Sequence, residues 1–286
     1  MKSIEEVNLE SILPSNGPSI NEVKKYLDKY KNEYIVIKIG GSLNDESFFK
    51  ILIEDISILK KLNFNPILVH GGGKKLTAKL GQLNIESKFV EGLRISNKDV
   101  VKIAQDVFIE FNKEILNELK NHSVSARSIT SKENNIINVK AISEELGFVG
   151  TPYKIDVDAL KKIVKANEIP IIAPLGLNSE NQVHNINADD VATFVASSLN
   201  ARRLIIISDV VGVMDKDNNL ISEINSTKVK KMIQRNEISG GMQVKLNSAI
   251  NIADKVKGTV IISGKKPRSL LFELLSTKGS GTLIRK

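Results

Sequence analysis

The sequence predicts an α/β fold built on parallel strands. Three observations carry that prediction. Apolar runs of strand length end on glycine-rich or acidic turns: Ile35–Ile39 into Gly40-Gly41, Pro66–Val69 into His70-Gly71-Gly72-Gly73, and Leu204–Ser208 onto Asp209. Stretches with helical apolar spacing separate these runs, as parallel strands require for their crossovers. Glycine directly after a strand lets backbone N–H groups approach a bulky anion, and open α/β sheets bind ligands beyond the strand C-termini.

The remaining elements follow in order. Residues 1–19 are polar and broken by Pro14, Gly17 and Pro18, which predicts a mobile leader. Ile20, Val23, Leu27 and Tyr30 form an apolar stripe at helical spacing, a short amphipathic helix that must bury on this chain's core or on a second subunit. Helices are expected over Glu46–Leu62 and Lys74–Leu83, with a loop carrying Arg94 over Phe89–Ser96. Asn97 caps a long helix reaching about Lys120. Strands follow at 126–131 and 136–142, then a turn-rich hairpin at Gly147–Pro152, a helix over Val157–Asn167 and a buried strand over Ile169–Pro174. His184–Asp190 opens a helix to about Asn200, with Asn187 as its N-cap. Beyond Asp209, helices are expected over Thr227–Arg235, Met242–Val256 and Arg268–Leu275, with strands at Val260–Ser263 and Thr282–Arg285.

Composition narrows the class. At 286 residues and 41% hydrophobic, the chain can build a sizeable core. It has no cysteine, which removes disulfides and thiolate sites and is compatible with a reducing cytoplasm. No apolar run reaches the ~20 residues of a membrane span, and the start lacks a secretory signal's apolar core. The formal net charge of +8 comes as scattered lysine pairs with few aromatics. That pattern speaks for small anions rather than nucleic acid.

One residue breaks the apolar pattern. Lys38 stands inside the first strand, where an ammonium needs an anion to meet it. A second lysine, Lys245, follows the Gly240-Gly241 turn, and Asn185, Asn187 and Asp189 surround another helix start. Glycine turns with two lysines suit phosphoryl transfer, which needs charge neutralised on oxygens more than it needs a nucleophile. The Gly-x-x-x-x-Gly-Lys-Ser/Thr loop, the Gly-x-Gly-x-x-Gly turn and the Gly-x-Ser-x-Gly elbow are all missing. His70, His122 and His184 are too dispersed for a zinc site. An acceptor that is already a carboxylate would need no general base.

The motifs Lys38–Gly41, Val69–Gly73, Gly92–Arg94, Asn185–Asp189, Ser208–Val213 and Gly240–Lys245 occur in sequence, and together they resemble the acetylglutamate kinase branch of the amino-acid kinase family. The resemblance covers residues 34–285. It implies a three-layer αβα sandwich with a mainly parallel central sheet. Residues 34–200 would form an amino-acid-binding lobe, 201–286 an ATP-binding lobe, and 1–33 a leader and helix. The implied reaction moves the γ-phosphoryl of ATP, with Mg2+, to the side-chain carboxylate of N-acetyl-L-glutamate.

The resemblance also implies residue roles. Lys38 and Lys245 would flank the transferring phosphoryl, with Asp189 orienting both. Gly40, Gly41, Gly72 and Gly73 would donate N–H groups to phosphate oxygens, Gly72 and Gly73 also touching the amino acid. Arg94 would clamp the α-carboxylate, and Asn185 and Asn187 would bind the same substrate. Asp209, Val210, Val211, Gly212, Val213 and Met214, with Glu237, Ile238 and Ser239, would line the nucleotide pocket. No protein metal ligand is implied. A homodimer core is expected, extended to a hexamer if the N-terminal helix assembles it. Departures are Ser96 and Ser208 where threonine is usual, and Pro267-Arg268 in place of a common Pro-His. Two alternatives stay open: a kinase of carrier-linked 2-aminoadipate or glutamate, and a non-catalytic sensor on the same fold.

Overall fold

The computed structural model describes residues 9–40, 45–238 and 240–286. In order these residues form α1 (Leu9–Ile12), α2 (Ile20–Tyr30), β1 (Tyr34–Ile39), α3 (Glu46–Lys61), β2 (Asn65–His70), α4 (Gly73–Gln82), β3 (Phe89–Val90), β4 (Leu93–Arg94), α5 (Lys98–Asn121), β5 (Ala126–Ile129), β6 (Ile137–Ala141) and β7 (Val149–Ile155). There follow α6 (Val157–Lys165), β8 (Ile169–Ile172), β9 (Leu175–Leu177), β10 (Val183–Ile186), α7 (Ala188–Ser198), β11 (Arg203–Ser208), β12 (Glu223–Asn225), α8 (Ser226–Gln234), α9 (Gly240–Asn251), β13 (Thr259–Ser263), α10 (Ser269–Leu275) and β14 (Gly281–Arg285).

The main sheet has eight strands in the order β12-β14-β13-β11-β1-β2-β8-β5. Every pairing is parallel except β13 with β14. The four short strands β10, β7, β6 and β9 close a separate small barrel.

Side chains alternate across the sheet and so divide the core. Ile35, Ile37, Ile39, Ile205 and Ile207 face α2, α3, α5 and α10, whereas Val36, Leu204 and Ile206 face α6, α7, α8 and α9. The result is the expected αβα sandwich. Lys38 shares the parity of Val36, which directs it to the α7 and α9 side. β1 lies between β11 and β2, so the chain leaves its C-terminal end where the strand order reverses, the usual crevice of an open sheet.

Asparagine has a structural use here. Asn63, Asn84, Asn167, Asn200 and Asn236 each stand just past a helix with positive φ. These are left-handed helix ends, a conformation asparagine tolerates better than most residues.

Two expectations are corrected. The leader is not loose from residue 9 onward: Leu9 is buried, and Asn16 accepts a hydrogen bond from Arg268 Nε at 3.1 Å. The α9 helix starts at Gly240 rather than Met242, so Lys245 lies in its second turn. The stripe Val23, Leu27 and Tyr30 is buried within this chain, in the core that also holds α10.

Candidate active site

The chain needs an anion for Lys38, and α7 supplies it. Asn187 caps α7 by accepting the Asp189 N–H at 2.8 Å, which fixes the first turn and turns Asp189 toward the sheet. Lys38 Nζ lies 2.9 Å from Asp189 Oδ1, with both side chains about nine-tenths buried. Lys245 of α9 brings its Nζ to 3.9 Å from the other oxygen, Oδ2. One carboxylate thus gathers two ammonium groups far apart in sequence. The neighbouring Asp190 is pushed up by burial, with the Asp189 charge adding in the same direction.

Gly40 follows β1 against β11. A Cβ there would stand 2.4 Å from the Ile207 carbonyl oxygen, so only glycine fits. Its N–H is already spent on that carbonyl at 3.2 Å. In this conformation Gly40 is a close-approach residue whose N–H is engaged within the sheet. The expected contributions of Gly41 and Ser239 lie outside the described residues.

At β2, the Gly71 N–H bonds the Ile39 carbonyl at 2.9 Å, and Gly72 takes φ 59 as the N-cap of α4. No side chain caps this helix and no acid stands in its first turn. The first N–H groups of a helix have no acceptor within the helix, and here Lys74 and Lys75 add positive charge instead of cancelling it.

A cavity of about 380 Å³ opens beside this turn, lined by Lys38, Gly73, Thr77, Arg94, Asn185 and Asn187 among others. Arg94, in the short hairpin of β3 and β4, donates from Nη1 to the Ser87 hydroxyl. Its Nη2 donates to Thr77 Oγ1 at 2.7 Å and to the Gly73 carbonyl at 3.2 Å. The guanidinium lies over the Phe89 ring, 4.6 Å from its centroid. Among the described residues no carboxylate is paired with it, so a buried cation is oriented by neutral acceptors and keeps its charge for a ligand. Burial lowers its pKa. Asn185 is buried beside it and donates to Ser96 Oγ at 3.4 Å.

A second cleft of about 420 Å³ is lined by Val210, Val211, Gly212, Val213, Met214, Glu237, Ile238 and Met242. Val210, Val211 and Met214 are exposed, an apolar surface suited to a flat ring. Helix α9 joins the two clefts, with Met242 in this one and Lys245 at Asp189. Asp209 stands at the end of β11, where its own backbone N–H, then Ser208, Lys74 and Lys245, hold its pKa down. The sequence reading missed Lys74, Thr77, Ser87 and Phe89. The double lysine at a helix start was the available signal for the first.

This is a cationic crevice at the C-terminal ends of parallel strands, with one cleft lined by Lys38 and Arg94 and one lined mainly by apolar side chains. The chain belongs to the amino acid kinase family, whose profile matches residues 33–263. Its relatives include the acetylglutamate kinase of Pelagibacter ubique, 54% identical over 288 aligned positions and covering 100% of both chains. The acetylglutamate kinase of Campylobacter fetus is 37% identical, covering 91% of this chain and 94% of its own. In structure, the chain matches N-acetylglutamate synthase from Neisseria gonorrhoeae with a TM-score of 0.87 at 23% identity, covering 94% of this chain and 64% of that longer one. Giardia lamblia carbamate kinase matches with a TM-score of 0.67 at 14% identity, over 89% of this chain and 99% of its own. At such identities the two structures speak for the fold alone.

Proposed function

We infer that this chain is a phosphotransferase that moves the γ-phosphoryl of ATP to the side-chain carboxylate of N-acetyl-L-glutamate, giving N-acetyl-L-glutamyl 5-phosphate in arginine biosynthesis. The observation that carries this reading is the Lys38–Asp189–Lys245 cluster lying between an apolar cleft and a cleft with an unneutralised arginine. The Pelagibacter ubique acetylglutamate kinase aligns with it over the whole chain.

In this reading residues 34–200 hold the amino acid and residues 201–286 hold the nucleotide. Arg94 takes the α-carboxylate of N-acetylglutamate in a two-point contact, exchanging its Nη2 bond to Thr77 or Gly73 for the ligand, with Asn185 and Asn187 alongside. The acceptor oxygen is already ionised, so it attacks the γ-phosphorus without a base. Lys38 and Lys245 neutralise the charge that spreads over the transferring group and the departing β-phosphate. Asp189 sets the spacing of both ammonium groups. Gly73 and the start of α4 add backbone N–H groups, and Gly72 shapes the turn that lies against the amino acid. The adenine lies against Val210–Met214, Glu237 and Ile238.

Mg2+, brought by the nucleotide, would supply further charge neutralisation on its phosphates. Among the described residues no group of three or more histidines and acids is placed to hold a metal. A homodimer and a cytoplasmic setting belong to the same proposal. Among the described residues no helix is long and apolar enough to cross a membrane. Val23, Leu27 and Tyr30 of α2 are covered by their own chain, so assembly of a hexamer through this helix would use its other residues. Light scattering on the full chain should give about twice 31.5 kDa.

The test is ADP release with N-acetylglutamate, glutamate, aspartate, UMP and a carrier-linked 2-aminoadipate as acceptors. Turnover of the first well above the others is expected. No turnover of N-acetylglutamate would remove the reading, and preference for a carrier-linked acyl substrate would transfer it to the rival kinase.

A further inference from the structure

A buried polar cluster lies under the Gly71–Gly73 turn, and the site described above makes no use of it. His70 ends β2 with its side chain fully buried. Phe108 and Phe111 of α5 meet its ring edge-on, with centroids 6.0 and 4.8 Å away. Asn112, on the same helix, places Oδ1 2.7 Å from His70 Nε2.

The other end of the amide fixes its orientation. Asn112 Nδ2 faces the Ser128 hydroxyl at 2.7 Å and the main-chain carbonyls of Ile171 at 3.2 Å and Ile129 at 3.4 Å. Carbonyls only accept, so the NH2 lies on that side and Oδ1 lies toward the histidine. His70 Nε2 must then carry the hydrogen, which leaves Nδ1 a bare acceptor. Nδ1 is buried and has no partner among the described residues.

Burial pushes the ring's pKa down to about 4, and the Lys75 charge on α4 adds in the same direction. Lys75 is itself paired with Glu114 of α5 at 2.7 Å. The imidazole is therefore neutral near pH 7. Its bare nitrogen adjoins the glycine turn: a Cβ built on Gly72 would stand 3.7 Å from Nδ1, and 2.7 Å from the Phe108 ring.

We propose, resting on the phosphotransferase reading, that His70 is a positioning residue: pinned by Asn112, it offers Nδ1 to the Gly72 N–H when the turn closes on the transferring phosphate. The roles within the turn then divide. Gly72 is held from below, and the phosphate is met by the Gly73 N–H and the two lysines. Asn112 acts one step further back, through the imidazole.

The experiment compares kcat, KM and Tm for the wild type, His70→Asn and His70→Gln. Asparagine sets its carbonyl oxygen where Nδ1 stands, whereas glutamine sets its amide where Nε2 stands. A turn misplaced by a fraction of an ångström costs about ten- to hundred-fold in rate. His70→Gln is expected to lose kcat on that scale with KM for N-acetylglutamate nearly unchanged, while His70→Asn keeps most of it. A role limited to satisfying Asn112 favours glutamine instead, and kcat in His70→Gln equal to or above that in His70→Asn overturns the proposal.

If either variant does not fold, Asn112→Ala decides the matter. Without the amide the imidazole is no longer pinned, so kcat should fall while KM for N-acetylglutamate stays nearly unchanged, and an unchanged kcat in folded Asn112→Ala contradicts the proposal. A wild type that does not turn over N-acetylglutamate would instead fail the functional reading, so the two failures are distinct.

Discussion

Two buried ion clusters, at opposite ends of the chemistry, differ in their accounts of charge. At the site, Asp189 meets two cations, Lys38 at 2.9 Å and Lys245 at 3.9 Å. Away from it, Arg268 meets two carboxylates, with Nη1 on Asp55 and Nη2 on Glu54, both at 2.7 Å, while Nε donates to Asn16. The first cluster has a surplus positive charge and unused ammonium hydrogens. The second uses every nitrogen of its guanidinium and ties the segment before α10 to α3 and to the leader. A buried charge left in surplus points to a ligand, whereas one met by opposite charges points to a strap. Arg268 also holds φ 59 without being glycine, a conformation costing about 1–3 kcal/mol that its three partners maintain.

Breaking the strap should have the largest effect. Arg268→Met leaves Asp55 buried without its partner, at a cost of about 3–5 kcal/mol of stability, with kcat little changed in the protein that remains folded. The loss should depend on pH. Burial raises the Asp55 pKa from 3.8 to about 7 even though the Arg268 hydrogen bond and charge pull against it. Without Arg268 only the upward push is left. A raised carboxyl favours the folded state at low pH and loses that advantage as pH rises through the folded pKa. The Tm gap between wild type and Arg268→Met should therefore be wider at pH 8 than at pH 5, and an equal gap would remove Asp55 from the account.

Opening the site cluster should do the reverse. Lys245→Ala should lower kcat by about 10²–10³, roughly 3–4 kcal/mol of transition-state stabilisation, with Tm nearly unchanged because Lys38 still neutralises Asp189. Lys245 is the cleaner probe, since removing Lys38 also takes away the nearer partner of a buried carboxylate. A smaller effect is expected of Arg94→Lys. A point charge cannot reproduce the planar two-point contact, so KM for N-acetylglutamate should rise by an amount worth about 1.5–3 kcal/mol, while KM for MgATP stays put. Smallest is Lys74→Ala. Its exposed ammonium adds to the field at Asp209, and its loss should raise KM for MgATP by less than ~1 kcal/mol, less still in high salt.

The two clusters were unequally legible in the sequence. A lysine in a buried apolar strand needs an explanation, so Lys38 stood out, and strand parity then directs it toward α7; Asp189 alone is an ordinary helix-start acid and stood out only through the resemblance. The Arg268 cluster joins residues more than 200 positions apart through ordinary surface residue types, and no local pattern distinguishes Asp55 from a solvent-facing acid. The same blindness hid α1 and the docking of Asn16, because a short polar segment gains its order only from the groups it meets. Thr77 and Ser87 were invisible as well. They matter only through the guanidinium they orient, and neither lies on a recognisable motif. Asn112 looked like one polar residue on a helix face until His70 was found beneath it.

The central claim is that Lys38 and Lys245 converge on one transferring phosphorus under the direction of Asp189. The most direct measurement is a crystal structure with a non-hydrolysable ATP analogue, Mg2+ and N-acetylglutamate. The account predicts both ammonium nitrogens within about 3 Å of oxygens on the γ-phosphate or the β–γ bridge, with Asp189 still contacting both. A nucleotide seated with its γ-phosphate away from either lysine, in a closed crevice, would contradict it.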